Sequence, residues 1–243
     1  MYKTPRFLPV GDSAVSIEFG DSIDPETNGA VRNLVVSLEQ NMLDGVIDLV
    51  PSYRSLLVNY NPMSVQLPLL IDSIVGLLSR EFEGVIHNAK VIEIPTLYGG
   101  EAGPDLDFVC THNDLTSDEV IRIHSTPRYL VYMLGFSPGF PYLGGMPPSI
   151  ETPRLDTPRI VIPAGSVGIA EKQTGIYPTA GPGGWRLIGK TPLAFFDPSR
   201  DPPCLLNPGD YLKFISIEEE QYYEIAHQIK AGTYSHRREV GSE

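Results

Sequence analysis

Apolar and polar residues over the first ninety positions follow the periods of strands and helices in turn. A strand is predicted over residues 10–19, where the two kinds of residue alternate. Asp24 and Pro25 are the residue types of a helix N-cap and a first helical position, and apolar residues then recur at helical spacing as far as Gly45. By the same criteria we predict strands over residues 46–50, 56–60 and 89–94, and a helix over residues 65–80.

The order strand, helix, strand, strand, helix, strand predicts a split βαβ arrangement, which is a small ferredoxin-like α/β sandwich. After Pro95 the pattern changes. Helices are predicted over residues 106–112 and 116–124, and from Tyr129 onward short β-type runs alternate with turns rich in proline and glycine. The runs cover residues 129–134, 160–162, 167–170, 185–188, 193–196 and 211–215, followed by a helix over residues 218–230.

That spacing of short strands favours a closed barrel or a sandwich. We therefore expect an α+β protein with two domains, an N-terminal α/β sandwich over residues 1–88 and a β-barrel domain with a terminal helix over residues 89–243.

Composition limits the classes of partner. Eighteen basic and 30 acidic residues give a formal net charge of -12, which argues against nucleic acid as a partner because phosphate binding needs a basic face. No apolar run reaches membrane-spanning length and no signal-peptide core follows the first residues, so no membrane partner is expected. Cys110 and Cys204 are too few for a disulfide framework and have no metal-ligand spacing, so we expect a cytoplasmic protein without a metal site.

Residues 135–192 combine glycine, proline and aromatic residues in a mixture that suits tight turns at the rim of a β-structure. The only tryptophan of the chain, Trp185, lies in this stretch. We interpret the stretch as a set of rigid loops around a binding site. The candidate binding residues that these loops contribute are Phe136, Phe140, Tyr142, Gly183, Gly184 and Trp185. For Phe136, Phe140 and Trp185 the plainer alternative is a place in the core or at an interface, where such aromatic residues are more often found.

Two motif matches in this stretch lack the structural context that each motif requires. Residues 135–139 fit the Gly-x-Ser-x-Gly nucleophile elbow, but the residue after the serine is Pro138, which has no N–H for an oxyanion hole. Residues 184–191 fit the P-loop pattern, but the variable positions resemble a strand and Pro192 follows directly, where a helix should begin. We expect neither a serine hydrolase nor a nucleotide site at these positions.

A series of linked motifs runs through the chain in order, over residues 11–14, 50–56, 98–101, 103–106, 135–145, 158–159, 163–167, 173–178 and 182–185. In these motifs the chain resembles the family that comprises the bacterial 5-oxoprolinase B subunit, allophanate hydrolase subunit 1 and the sporulation-kinase inhibitor KipI. Two positions depart from the family pattern: Gly181 stands where relatives often have serine, and Lys190 where arginine is commoner.

The resemblance implies a cyclophilin-like barrel as the second domain. It also implies a non-autonomous enzyme subunit that works with the A and C subunits of 5-oxoprolinase, the latter with a homologous barrel. The complex opens the lactam of 5-oxo-L-proline to glutamate with ATP. Because this chain shows no credible nucleotide loop or metal cluster, ATP and Mg²⁺ are expected on a partner protein.

Three alternatives stay open at this point. The chain could belong to an allophanate- or urea-processing amide hydrolase. It could instead be a KipI-like inhibitor of a sensor histidine kinase. Proline isomerisation would rest on fold analogy alone.

Individual residues have candidate roles next to plainer structural ones. Arg159 is a candidate clamp for a carboxylate or a member of a salt bridge, and His124 is a candidate general acid or base or a helix-capping histidine. Tyr177 is a candidate donor to an oxyanion or a cap on the barrel. Ser166 and Gln173 are candidates for hydrogen bonds to a lactam amide, or they satisfy turn backbone.

Overall fold

The computed structural model describes residues 1–79 and 89–236 in full, and the backbone of residues 238–240. The chain divides into two compact units, residues 1–87 and residues 88–243. Within the described residues, none of the helices is both long enough and apolar enough to span a membrane.

The first unit is a four-stranded antiparallel sheet with two helices. Its elements are β1 (Arg6–Val10), β2 (Ala14–Glu18), α1 (Pro25–Asn41), β3 (Val46–Pro51), β4 (Ser55–Tyr60) and α2 (Leu67–Leu78), and the strand order is β1-β2-β4-β3. Asp24 caps α1 as predicted, because its carboxylate accepts the Thr27 N–H at 2.8 Å. Alternate residues of β2 and β4 meet the apolar faces of both helices in one core, so the unit is an α/β sandwich.

The predicted order of strands and helices in this unit is wrong for its first strand and for its last strand. Residues 10–19 form parts of two strands, because a turn with Gly11 at φ +60° folds β1 back on β2. Residues 89–94 belong to the second unit. The edge position beside β2 is occupied by β1, whose residues are mostly exposed and therefore lack the alternation that marks a half-buried strand.

The second unit is built on a long sheet that curls until its ends meet. Its path is β10-β9-β12-β5-β13-β6-β7, and β7 contacts β10, so the seven strands form a nearly closed barrel. The elements are β5 (Lys90–Tyr98), α3 (Leu106–Asn113), α4 (Ser117–Ser125), β6 (Tyr129–Leu134), β7 (Pro141–Gly144), β8 (Arg159–Ile162), β9 (Ser166–Ala170), β10 (Gln173–Ile176), β11 (Gly181–Gly183), β12 (Arg186–Lys190), β13 (Tyr211–Ser216), α5 (Glu219–Lys230) and β14 (Arg238–Val240).

Strand β5 does not end at Pro95, where the sequence suggested that it would. It pairs in parallel with β13 along one side. On the other side it pairs with β14 over residues 90–92 and with β12 over residues 97–98, so Pro95 falls in the gap between these partners. A proline is tolerated there because the strand needs no N–H from it.

Other departures lie in the glycine- and proline-rich loops. Strands β7, β10 and β11 were not predicted, and residues 193–196, predicted as a strand, are irregular although Leu193 and Phe195 are buried in the core. Short Gly-containing strands have too few side chains to show a period of two, and an apolar run that is buried in a loop resembles a strand.

A two-stranded ribbon, β8 paired with β11, is separate from the barrel sheet. Its Ile162 packs with Tyr177, Leu187 and Trp185 in a small cluster of its own. Ile176, one residue before Tyr177, is part of the barrel core. Since neighbouring residues of a strand point to opposite faces, the ribbon lies on the outer face of β9, β10 and β12.

Candidate ligand pocket at the barrel seam

A pocket of about 210 Å³ lies over the seam where β7 and β10 meet. The loop before β7, the strand β10 and the end of the ribbon all contribute to it. Its lining residues are Phe136, Phe140, Tyr142, Arg154, Gln173, Tyr177, Pro182, Gly183, Gly184 and Trp185. The structure thus brings together eight of the eleven residues that were chosen from sequence, and adds Arg154 and Pro182.

Phe140 is the centre of the aromatic wall. Its ring is in edge-to-face contact with four other rings, at centroid distances of 5.6 Å to Phe136, 5.4 Å to Tyr142, 5.9 Å to Tyr177 and 5.8 Å to Trp185. Such edge-to-face pairs stabilise one another beyond the area that they bury. The wall is therefore a rigid, preformed surface.

Small residues of the barrel make room for the Trp185 indole. A β-carbon on Gly175 would lie 3.0 Å from the indole ring, and one on Gly168 would lie 3.2 Å from the Trp185 β-carbon. Larger side chains at these two positions would push the ring outward. The two glycines therefore give β9 and β10 a flat surface on which the indole packs.

Tyr177 places a neutral hydroxyl at the pocket. Burial raises its pKa, although the Trp185 backbone N–H and the charges of Arg154 and Arg159 act in the opposite direction. As a neutral phenol the hydroxyl can both donate and accept a hydrogen bond. The residue is only 5% exposed.

Phe136 is held in an unusual position. It has a positive φ of 65°, which costs a non-glycine residue conformational energy, and its side chain is 77% exposed. Neither feature improves the packing of the chain itself. Phe136 therefore extends the aromatic wall outward, beyond the edge of the pocket.

Arg154 is the cation of the pocket. Its guanidinium lies 3.8 Å from Glu171 in an ion pair whose side chains are 53% and 70% exposed, and such exposed pairs are weak. Sequence reasoning missed this residue. The available signal was that Arg154 forms a second Pro–Arg pair, Pro153–Arg154, five residues before the pair that contains Arg159.

Arg159 does not line the pocket. Its Nη2 donates to Asp105 Oδ1 at 2.8 Å, and its Nη1 donates to the Trp185 carbonyl oxygen at 3.4 Å. Of the clamp and the salt bridge considered for Arg159, the structure shows the salt bridge, with side chains 29% and 10% exposed. Arg154 and Arg159 both follow a proline, and only packing distinguishes the one that lines the pocket.

His124 is likewise outside the pocket, in the barrel core with no exposed surface. Its Nε2 lies 2.7 Å from the Thr174 hydroxyl, which itself donates to the Gly168 carbonyl, and its Nδ1 lies 2.8 Å from the Tyr98 hydroxyl. This network assigns the proton to Nε2. Burial lowers the pKa of His124 to about 3, so the ring is a neutral structural group, and the predicted acid–base role is corrected.

Ser166 is also buried, at the start of β9, and is not part of the pocket lining. Its carbonyl oxygen accepts the Tyr177 N–H at 2.9 Å. Its observed contribution is therefore made by its backbone, which fixes the turn that presents Tyr177.

Comparisons with known proteins agree with this architecture. Residues 5–206 match the model of the family described as "Carboxyltransferase domain, subdomain C and D". The chain belongs to this family. The chain is 47% identical over 224 residues to the 5-oxoprolinase B subunit of Bacillus subtilis (strain 168), covering 88% of this chain and 93% of that protein.

A second relative, the 5-oxoprolinase B subunit of Escherichia coli O157:H7, is 42% identical over 219 residues, covering 88% of this chain and 97% of the relative. The crystal structure of TTHA0988 matches with a TM-score of 0.75 at 36% identity, over 84% of this chain and 40% of that chain. The family resemblance that was inferred from the motifs is confirmed.

The nucleophile-elbow match and the P-loop match both lie among β-strands of the barrel domain. Five of the eight P-loop positions fall within β12, and residues 191–200 contain no helix. In residues 135–139 the strained position is Phe136 rather than the serine. Among residues 1–79 and 89–236, no group of three or more His, Cys, Asp or Glu side chains is arranged to hold a metal ion.

The packing of Gly183 gives a first test of the pocket. A β-carbon at this position would overlap the Tyr177 hydroxyl and lie 2.8 Å from Ile162 Cδ1. We expect Gly183→Ala to lower the free energy of unfolding by about 1–3 kcal/mol because the ribbon must shift. Gly181→Ala is the matched control, since its β-carbon meets nothing within 4 Å. Equal urea midpoints for the two variants would contradict the described contact.

The neutral state of His124 predicts a pH dependence. Its folded pKa, about 3, is below the ordinary value of 6.5, so the unfolded chain binds the extra proton as pH falls through 6.5. Stability is therefore complete above pH 6.5 and is lost toward pH 3. Between pH 7 and pH 5 we expect the wild type to lose about 2 kcal/mol more unfolding free energy than His124→Gln.

Urea unfolding of both proteins at the two pH values measures this difference. The substitution lowers stability at both pH values, because Gln cannot satisfy both Tyr98 and Thr174, and only the change with pH is diagnostic. Parallel losses in the two proteins would show that His124 titrates normally.

Proposed function

We propose that this chain acts as the B subunit of an ATP-dependent 5-oxoprolinase, and that the seam pocket binds 5-oxo-L-proline. The relatives that match it over most of their length are named as that protein. The single observation that supports the pocket assignment is the meeting of one cation, one side-chain amide and one neutral hydroxyl on an aromatic wall.

The chemistry of these groups matches the ligand part by part. Arg154 offers a guanidinium, which pairs with a carboxylate through charge-assisted hydrogen bonds. Gln173 has a side-chain amide, which both donates and accepts, as a lactam also does. The apolar ring carbons fit against Phe140 and Trp185. A volume of about 210 Å³ suits a small metabolite, since drug-sized ligands occupy about 300–1,000 Å³.

Tyr177 is the residue of this chain to which the proposal assigns a part in the chemical step. Burial raises the pKa of its hydroxyl, so the group is protonated and has a proton to donate. Directed at the lactam oxygen, this donor stabilises negative charge that develops there. The predicted role of Tyr177 is thus retained as part of this proposal.

The phosphoryl-transfer step belongs, in this proposal, to a partner protein. ATP and Mg²⁺ need a phosphate-binding loop and acidic ligands, and the described residues provide neither set. Transfer of the γ-phosphoryl group from ATP to the lactam oxygen releases ADP and activates the ring carbon. Water adds to this carbon, the C–N bond breaks to give a free amine and an acyl phosphate, and a second water hydrolyses the acyl phosphate to glutamate and phosphate. This chain contributes binding and orientation of the lactam, and is inactive alone.

The surroundings of the pocket fit a partner protein. Phe136 is 77% exposed, and on β8, which pairs with the pocket-lining β11, Ile160 is 88% and Val161 63% exposed. Exposed apolar residues that cluster around a site mark protein interfaces. We propose that one of the two other 5-oxoprolinase proteins, from the A and C subunits, covers this side of the barrel.

The test is reconstitution with the A and C subunits, measuring the release of glutamate and ADP from 5-oxo-L-proline. We expect no turnover by the purified chain and turnover by the full set. Arg154→Gln should raise KM at least about tenfold, because one charge-assisted hydrogen bond to the carboxylate is lost. Arg122→Gln, at an exposed position of α4, is the control and should leave KM unchanged.

Two outcomes would contradict the proposal. Turnover of allophanate instead of 5-oxo-L-proline by the full set would overturn the substrate. An unchanged KM for Arg154→Gln would show that the carboxylate binds elsewhere.

A further inference from the structure

We propose that Asp105 and Arg159 are positioning residues that fix the backbone of Trp185 and thereby set the shape of the pocket. Neither side chain lines the pocket. The hydrogen bonds of this pair reach the pocket through the backbone of Trp185, which does line it, while the charge of Arg159 also acts on the pKa of Tyr177.

The backbone of Trp185 is held by a side chain rather than by a strand ladder. The residue lies between the end of β11 at Gly183 and the start of β12 at Arg186, outside the registers of both strands. Its carbonyl oxygen accepts from Arg159 Nη1 at 3.4 Å. Loss of the Arg159 side chain would remove this hydrogen bond from the Trp185 carbonyl group.

Asp105 holds the backbone at Leu187, two residues after Trp185. Its Oδ1 accepts from Arg159 Nη2 at 2.8 Å, and its Oδ2 accepts the Leu187 N–H at 2.7 Å. Its own backbone N–H donates to the Leu187 carbonyl oxygen at 2.9 Å. The carboxylate therefore connects Arg159, which holds residue 185, to the backbone of residue 187.

The planar guanidinium is needed for this geometry. It donates to a carboxylate and to a carbonyl group at the same time from two nitrogens in a fixed fork. A lysine ammonium at position 159 can retain the charge opposite Asp105, but it is a single point and cannot reproduce both contacts. The pair is also mostly shielded from solvent, so water replaces it poorly.

The single tryptophan makes the test direct. Protein labelled with 5-fluorotryptophan has one ¹⁹F resonance, which reports on Trp185 alone. We expect Asp105→Asn and Arg159→Lys to shift and broaden this resonance, and to increase quenching of Trp185 emission by acrylamide. The matched control is Asp107→Asn, the same change at an exposed position two residues away, which should leave both signals unchanged.

Binding of 5-oxo-L-proline gives a second readout, which rests on the proposed function. We expect both variants to bind about tenfold more weakly than the wild type, with Asp107→Asn unaffected. If the wild type itself does not bind 5-oxo-L-proline, the proposed function fails while the ¹⁹F result still decides the positioning role.

A wild-type resonance and wild-type quenching in either folded variant would overturn the proposal, and would leave the ion pair a purely stabilising contact. If Asp105→Asn does not fold, Arg159→Lys decides alone, because it keeps a cation beside the buried carboxylate.

Discussion

The packing of the Trp185 indole against Gly168 and Gly175 is the constraint on which the pocket depends. Gly168 and Gly175 leave the outer face of the barrel flat, and the indole lies there against Phe140 and Tyr177. With the indole in this place, the ribbon of β8 and β11 can pack its Ile162 beside Tyr177 and Leu187. The pocket is the space left at the margin of this cluster.

Two arginines, close in sequence and both preceded by proline, have different electrostatic environments. Arg159 meets the shielded carboxylate of Asp105, and its guanidinium is committed to that partner and to the chain beside it. Arg154 lies with Glu171 in solvent, where an ion pair contributes little to stability. Burial of the partner therefore decides which arginine is structural and which faces the pocket.

His124 illustrates the same principle inside the barrel. Two hydroxyl groups, from Tyr98 and Thr174, satisfy both ring nitrogens, and Phe214 lies with its ring centroid 4.3 Å away. A neutral imidazole is well suited to this site and a charged one is not. The seam pocket lies on the opposite face of β10, so one strand supplies Thr174 to the interior and Gln173 to the pocket.

The sequence by itself determined the helices, the longer strands, the capped start of α1 and the family, because each depends on local period or on linked motifs. The sequence also predicted most of the residues that line the pocket, because loops rich in glycine, proline and aromatic residues can be recognised from composition alone. Only the tertiary structure decided that β1 and not residues 89–94 completes the first sheet, and that Arg154 and not Arg159 lines the pocket. Strand partners and buried counter-charges come from distant parts of the chain, as Asp105 does for Arg159, and no local pattern records which of two similar residues they will meet.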